Sequence, residues 1–79
     1  MTAHQAMLFD LGHELKLLAV QAKAARSASE VSSEQRSFEA GRLTAFGEVI
    51  SMMQQQARGL GIPQSEIRLE DFDPDLDCV

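Results

Sequence analysis

The sequence predicts an all-α protein: a long antiparallel helical hairpin with a short acidic C-terminal tail, dimerising into a four-helix bundle. Three observations predict it. Hydrophobic residues make up 44% of the 79, led by Ala and Leu, while Pro occurs twice and Trp and Tyr are absent, a composition that disfavours sandwiches and low-complexity chains. Two long stretches carry apolar residues alternately three and four apart, the period of an amphipathic helix. Those stretches also hold more apolar surface than one hairpin can bury.

The first helix is expected over about residues 3–28. Thr2 and Gln5 stand at capping-box spacing, where the hydroxyl accepts from the Gln5 backbone N–H and the Gln5 amide reaches back to the N-cap. Leu8, Leu11, Leu15, Leu18, Ala22 and Ala25 then follow on one stripe. The stripe narrows from leucine to alanine, so a packing partner approaches more closely at its C-terminal end.

Residues 27–33 hold four serines, which compete for backbone hydrogen bonds and favour a turn. The alternative is one continuous bent helix, since neither Gly nor Pro interrupts that stretch. Ser32 and Gln35 repeat the capping-box spacing and open a second helix over about 33–60, with its stripe at Leu43, Phe46, Ile50, Met53, Ala57 and Leu60. Gly61 suits the left-handed residue past a helix end, Ile62 folds back on the last turn and Pro63 blocks continuation, a Schellman-type stop. The two helices, each about 40 Å long at 1.5 Å per residue, match in length and pack antiparallel.

Charge divides the chain unevenly. Residues 1–28 carry three cations against two acids, residues 29–61 three against four, and the tail, residues 62–79, one against six, which gives the net charge of −5. The tail suits one or two helical turns from Gln64 to Leu69, whereas Asp71 to Asp75, with Pro74 inside, forbids a long third helix. It is expected to lie across the hairpin, anchored by Ile67, Leu69 and Phe72. The 79 residues form a single domain, without an internal repeat or linker.

The second helix has a further apolar stripe at Phe38, Ala45, Val49 and Met52, and the first a lesser patch of Ala6, Phe9, Leu17, Val20 and Ala24. A hairpin covers one stripe per helix, so these point to an isologous dimer with Phe38, Ala45, Val49, Met52, Phe9, Leu17 and Val20 in its interface. Opposite the apolar half of the second helix lie Ser37, Ala40, Gly41, Thr44, Gly47 and Ser51, which read either as a close-approach groove or as a solvated face. Arg36, Glu39 and Arg42 read as a surface ion ladder of little energetic consequence.

For chemistry, the sharpest candidates are Asp10 and His13, at the i, i+3 spacing with which bundle helices present a carboxylate and an imidazole to one metal. In an antiparallel hairpin Glu48 lies near their level, and Glu14 could orient the imidazole. With Asp10, His13 and Glu48 as metal ligands, a dimer resembles carboxylate-bridged two-metal bundles in ligand count, although that family uses Glu where Asp10 stands. The alternate aspartates of the tail depart from a calcium loop, with Leu76 where the sharp turn needs glycine. Phe72 and Leu76, spaced by Asp73 and Asp75, read as a partner-docking segment, and Cys78 as an exposed, reduced thiol.

A chain this short buries only roughly 60% of its unfolded surface, so a deep catalytic cavity is not expected. No serine sits in a G-x-S-x-G elbow or at S-x-x-K spacing, and Gly59-Leu60-Gly61 follows a helix rather than a strand, so it reads as helix termination rather than a phosphate loop. The acidic balance disfavours direct nucleic-acid contact, and no apolar run suits a signal peptide or a membrane span. The expected function is that of a small cytoplasmic, non-enzymatic adaptor without a cofactor, partnering itself as a homo-oligomeric bundle and an unknown protein besides. The alternative is a metal-binding four-helix bundle with carboxylate and histidine ligands.

Overall fold

The computed structural model describes residues 1–28 and 30–79, and it is helical with no strand among them. Two long helices, α1 (Ala3–Ser27) and α2 (Ser33–Gly59), pack side by side in a body of 44 × 21 × 16 Å. A 3₁₀ turn (Gln64–Ile67) and one helical turn, α3 (Pro74–Asp77), follow in the tail.

Local chemistry sets each boundary. The Thr2 hydroxyl accepts from the Gln5 N–H at 3.1 Å while the Gln5 side chain accepts from the Thr2 N–H at 2.7 Å, a complete capping box. Ala28 turns to extended backbone (ψ 136°) and ends α1, which excludes the continuous bent helix; Ser29, one of the four turn serines, lies outside the described residues. Ser32 caps α2 by accepting from the Gln35 N–H at 3.1 Å. At the far end Gly61 takes φ +70°, Ile62 N–H donates to the Ala57 carbonyl at 2.8 Å and Gly61 N–H to that of Arg58 at 3.3 Å, the two bonds of a Schellman motif.

The core joins α1, α2 and the tail through Ala19, Ala22, Leu43, Ile50, Ala57, Ile67, Leu69 and Cys78. Three placements differ from the sequence reading. The inward line of α1 is rotated by about one residue: Gly12 and Ala19 are buried while Leu11 is 45% exposed. The reason is the tail, for Gly12 presses against the Ile67 backbone so closely that an added Cβ would stand 1.7 Å from the Ile67 carbonyl oxygen. Leu60 is 71% exposed because the Schellman turn has already left the helical path there. Cys78 is buried rather than exposed, its side chain lying where a Cβ on Gly47 would come within 2.9 Å.

Candidate interaction surface

Two antiparallel helices leave two grooves between them, one on each side of the hairpin, and this chain treats them differently. The tail fills the first. Ile67 and Leu69, two of the expected anchors, are buried, and the third, Phe72, packs half-buried on the core. Gln54, buried on α2, holds the tail backbone by donating from Nε2 to the carbonyls of Leu69 (3.3 Å) and Phe72 (2.8 Å), and Gln64 donates to the Gln54 carbonyl at 3.0 Å. The two bonds from the buried Gln54 amide fix register, because a shift would strand its N–H groups and those carbonyls without partners.

Cations on α1 line the same groove. Lys16 Nζ meets Asp71 at 2.8 Å, and Arg26 and Lys23 donate to the carbonyls of Val79 and Leu76 at 2.8 and 3.4 Å. Hydrogen bonding and charge from Lys16 hold the Asp71 carboxyl below its ordinary range. Arg68, in left-handed backbone (φ 60°), lays its guanidinium 4.8 Å from the Phe9 ring centroid and 3.5 Å from His13 Nδ1.

This arrangement relocates several residues singled out in the sequence. Phe9 is half-buried beneath Arg68, and Val20 lines a cleft beside Asp71, Phe72 and Asp77 on the tail side; Leu17 is exposed on α1. Of the docking segment, Phe72 belongs to the core and Asp73 caps α3 by accepting from the Asp75 N–H at 3.0 Å, while Asp75 and Leu76 stay exposed. Of the small-residue face, Gly47 is covered by Cys78 and Gly41 has open space above it. Burial, then the neighbouring Asp77 charge, pushes the Cys78 thiol pKa up.

The metal candidates do not converge in one chain. Asp10 and Glu48 are exposed, His13 faces Arg68, and no group of three His, Cys, Asp or Glu side chains among the described residues could hold an ion. Nor is the Arg36–Glu39–Arg42 ladder a surface feature throughout. Glu39 is buried and accepts from Arg42 at 2.7 Å, the Arg42 guanidinium lies 6.0 and 5.5 Å from the Phe38 and Phe46 ring centroids, and Arg36 is exposed.

The second groove and the outer face of α2 beside it carry open apolar surface. On α2, Phe38 (63% exposed), Ala45, Val49 (40%) and Met52 (60%) remain uncovered, as does Leu11 on α1. At about 100° per residue, Leu11 and Leu18 on α1 and Phe46, Val49 and Met53 on α2 all turn to the side away from Gly12, Gly47 and the tail. At its open end lies a notch of about 210 Å³, lined among others by Leu8, Met53, Leu60 and Ile62. Sequence reasoning singled out the exposed α2 residues and, on α1, Leu17 and Val20, which are exposed; it did not single out Leu11, because it assigned Leu11 and Leu18 to the hairpin seam. The signal available was Gly12 itself: a glycine inside an apolar helical stretch marks a close backbone approach, which moves its leucine neighbours off the seam. Among the described residues no helix is long and apolar enough to cross a membrane. No family model matches the chain, and no match is found among curated proteins or solved structures.

Proposed function

We propose that this protein is a non-enzymatic interaction module that self-associates through the apolar side of its helical hairpin. The observation that carries the reading is the uncovered row Phe38, Ala45, Val49 and Met52 on α2, continued by Leu11 on α1. Exposed apolar patches of this extent on a small domain are characteristic of protein contact sites. The acidic tail, which the sequence suggested as a docking segment, is anchored on its own hairpin through Ile67, Leu69 and Phe72 and leaves Asp75 and Leu76 exposed, so the larger apolar surface open to a partner lies on the opposite side.

Native mass spectrometry or light scattering at micromolar concentration tests it. The expected mass is a multiple of the 8.7 kDa chain, falling to one chain in Val49→Glu or Met52→Glu, each of which would place a charge in the contact. A single-chain mass for the unaltered protein, or an unchanged multiple with both positions altered, overturns the reading.

A further inference from the structure

We infer that the occupant of the open groove is a second copy of this chain, seated face to face with its hairpin turn at the same end, so that α1 of each copy lies against α2 of the other. The inference rests on the self-association reading and supplies its geometry.

Area favours a copy of the same chain. Met7, Leu11, Phe38, Val49 and Leu60 are each between 40% and 71% exposed. At on the order of 100 Å² apiece, and with the half-buried Leu18, Phe46 and Met53 added, they approach the roughly 800 Å² per partner of a stable interface. An isologous contact uses that whole patch on both sides.

The taper of the two helices fixes the direction. Because α1 ends at Ser27 and α2 begins at Ser33, residues whose numbers sum to roughly 60 lie at one height along the hairpin. On the open side α1 runs from Met7 through Leu11 and Leu18 to Ala25 near the turn, broad to narrow. From the turn outward α2 runs Phe38, Arg42, Ala45, Val49, Met53. With both turns at one end, Ala25 of one copy meets Phe38 of the other, Leu18 meets the step from Arg42 to Ala45, and Leu11 meets Val49. Broad faces narrow over the turn half, which keeps the axes at an even separation of about 8–10 Å. With the turns at opposite ends α2 would run along α2. Phe38 and Arg42 would then stand against Gln56 and Met52, broad on broad, with only Ala45 and Val49 between them in the middle, a poorly packed centre.

Charge is accommodated as well. Arg42, near the middle of this side, is already paired with the buried Glu39 and stacked by Phe38 and Phe46, so it enters the contact with its counter-charge in place.

Cysteine cross-linking in a Cys78→Ser background reads the geometry. Single variants Leu11→Cys, Leu18→Cys, Ala45→Cys and Val49→Cys, all outside the buried core, are checked for helicity, mixed in pairs and oxidised. Leu11→Cys with Val49→Cys is expected to give the dominant mixed disulfide, several-fold over any other pair, because of the mixed pairs it alone stands at one height, as the roughly 4.4–6.8 Å Cα separation of a disulfide demands. Preferential linking of Leu11→Cys with Leu18→Cys, or of Ala45→Cys with Val49→Cys, shows turns at opposite ends and overturns the inference while self-association stands. A dimeric mass with no cross-link at any pair places the contact elsewhere and also overturns it. A single-chain native mass removes both readings together.

Discussion

Replacing Gly12 by alanine tests the seating of the tail against a known opposing effect. In an exposed helix interior Gly→Ala gains about 1 kcal/mol, because glycine loses the most backbone freedom on folding. At position 12 the new Cβ would stand 1.7 Å from the Ile67 carbonyl oxygen and 2.9 Å from the carbonyl carbon. Those atoms are backbone and cannot rotate away, so the 3₁₀ turn must retreat by more than about 1 Å to reach ordinary contact distance. Overpacking of this kind costs roughly 1–3 kcal/mol. Displacement also loosens Ile67 and Leu69, 3% and 1% exposed, whose full burial contributes about 1.5–3 kcal/mol each. Set against the helical gain, the net expected loss is on the order of 2 kcal/mol, or about 10 °C in Tm for a domain of this size.

The control is Gly41→Ala, at an exposed helical position with nothing within 4 Å of the added Cβ, which should gain up to about 1 kcal/mol. With neither Trp nor Tyr in the chain, the readout is circular dichroism of thermal and urea unfolding at one fixed protein concentration. Gly12→Ala melting at or above the unaltered protein, alongside a stabilised Gly41→Ala, would refute the close approach of tail to α1.

Three further outcomes follow from the same groove. Gln54→Leu removes the donor shared by the Leu69 and Phe72 carbonyls and should cost about 2 kcal/mol in urea unfolding; a neutral substitution would mean those bonds are not made. Cys78, shielded by α2 and with its pKa raised by burial and by Asp77, should alkylate about tenfold more slowly in the folded protein than in urea. Gly47→Ala, whose Cβ would lie 2.9 Å from that of Cys78, should speed the reaction. Asp71 is held below its ordinary pKa by Lys16, so its small contribution is present at neutral pH and fades as the pH falls through that lowered value. A carboxyl NMR titration should show its pKa rising in Lys16→Met, and an unmoved Asp71 would mean the pair does not form in solution.

Those features divide by how local their causes are. The ends of α1 and α2 were legible to within a residue, because Thr2, Ser32 and the Gly61-Ile62-Pro63 stop act on backbone groups a few positions away. The anchoring of Ile67, Leu69 and Phe72 was legible too, since few other apolar residues occur after Ile62. The rotation of α1 was not. The periodicity of Leu8, Leu11, Leu15 and Leu18 admits a seam centred on either side of the leucines, and the choice depends on the contact of Gly12 with Ile67, 55 positions further along the chain. Cys78 escaped for the same reason: its acidic neighbours suggested exposure, whereas its burial depends on the missing side chain of Gly47. Asp10, His13 and Glu48 do not converge within one chain, because Asp10–His13 spacing says only that two residues share one side of α1, not that Glu48 turns toward them.

One groove closed within the chain and one left open has a thermodynamic signature that ties these observations together. Residues 62–79 close the Gly12–Gly47 side as part of the same molecule, so that burial does not depend on protein concentration. They cannot also wrap the Leu11–Val49 side, and closing that side by a second copy makes the second contribution to stability a mass-action term. Tm should therefore rise with concentration for the unaltered protein. Gly12→Ala should lower the melting curve at every concentration and keep the slope, because it acts on the groove closed within the chain. Val49→Glu, 40% exposed in the single chain and so tolerated there, should remove the slope while leaving a folded hairpin. If instead Tm is independent of concentration across about three decades, the apolar side is solvated in the working protein and the tail supplies all of the burial beyond the hairpin seam.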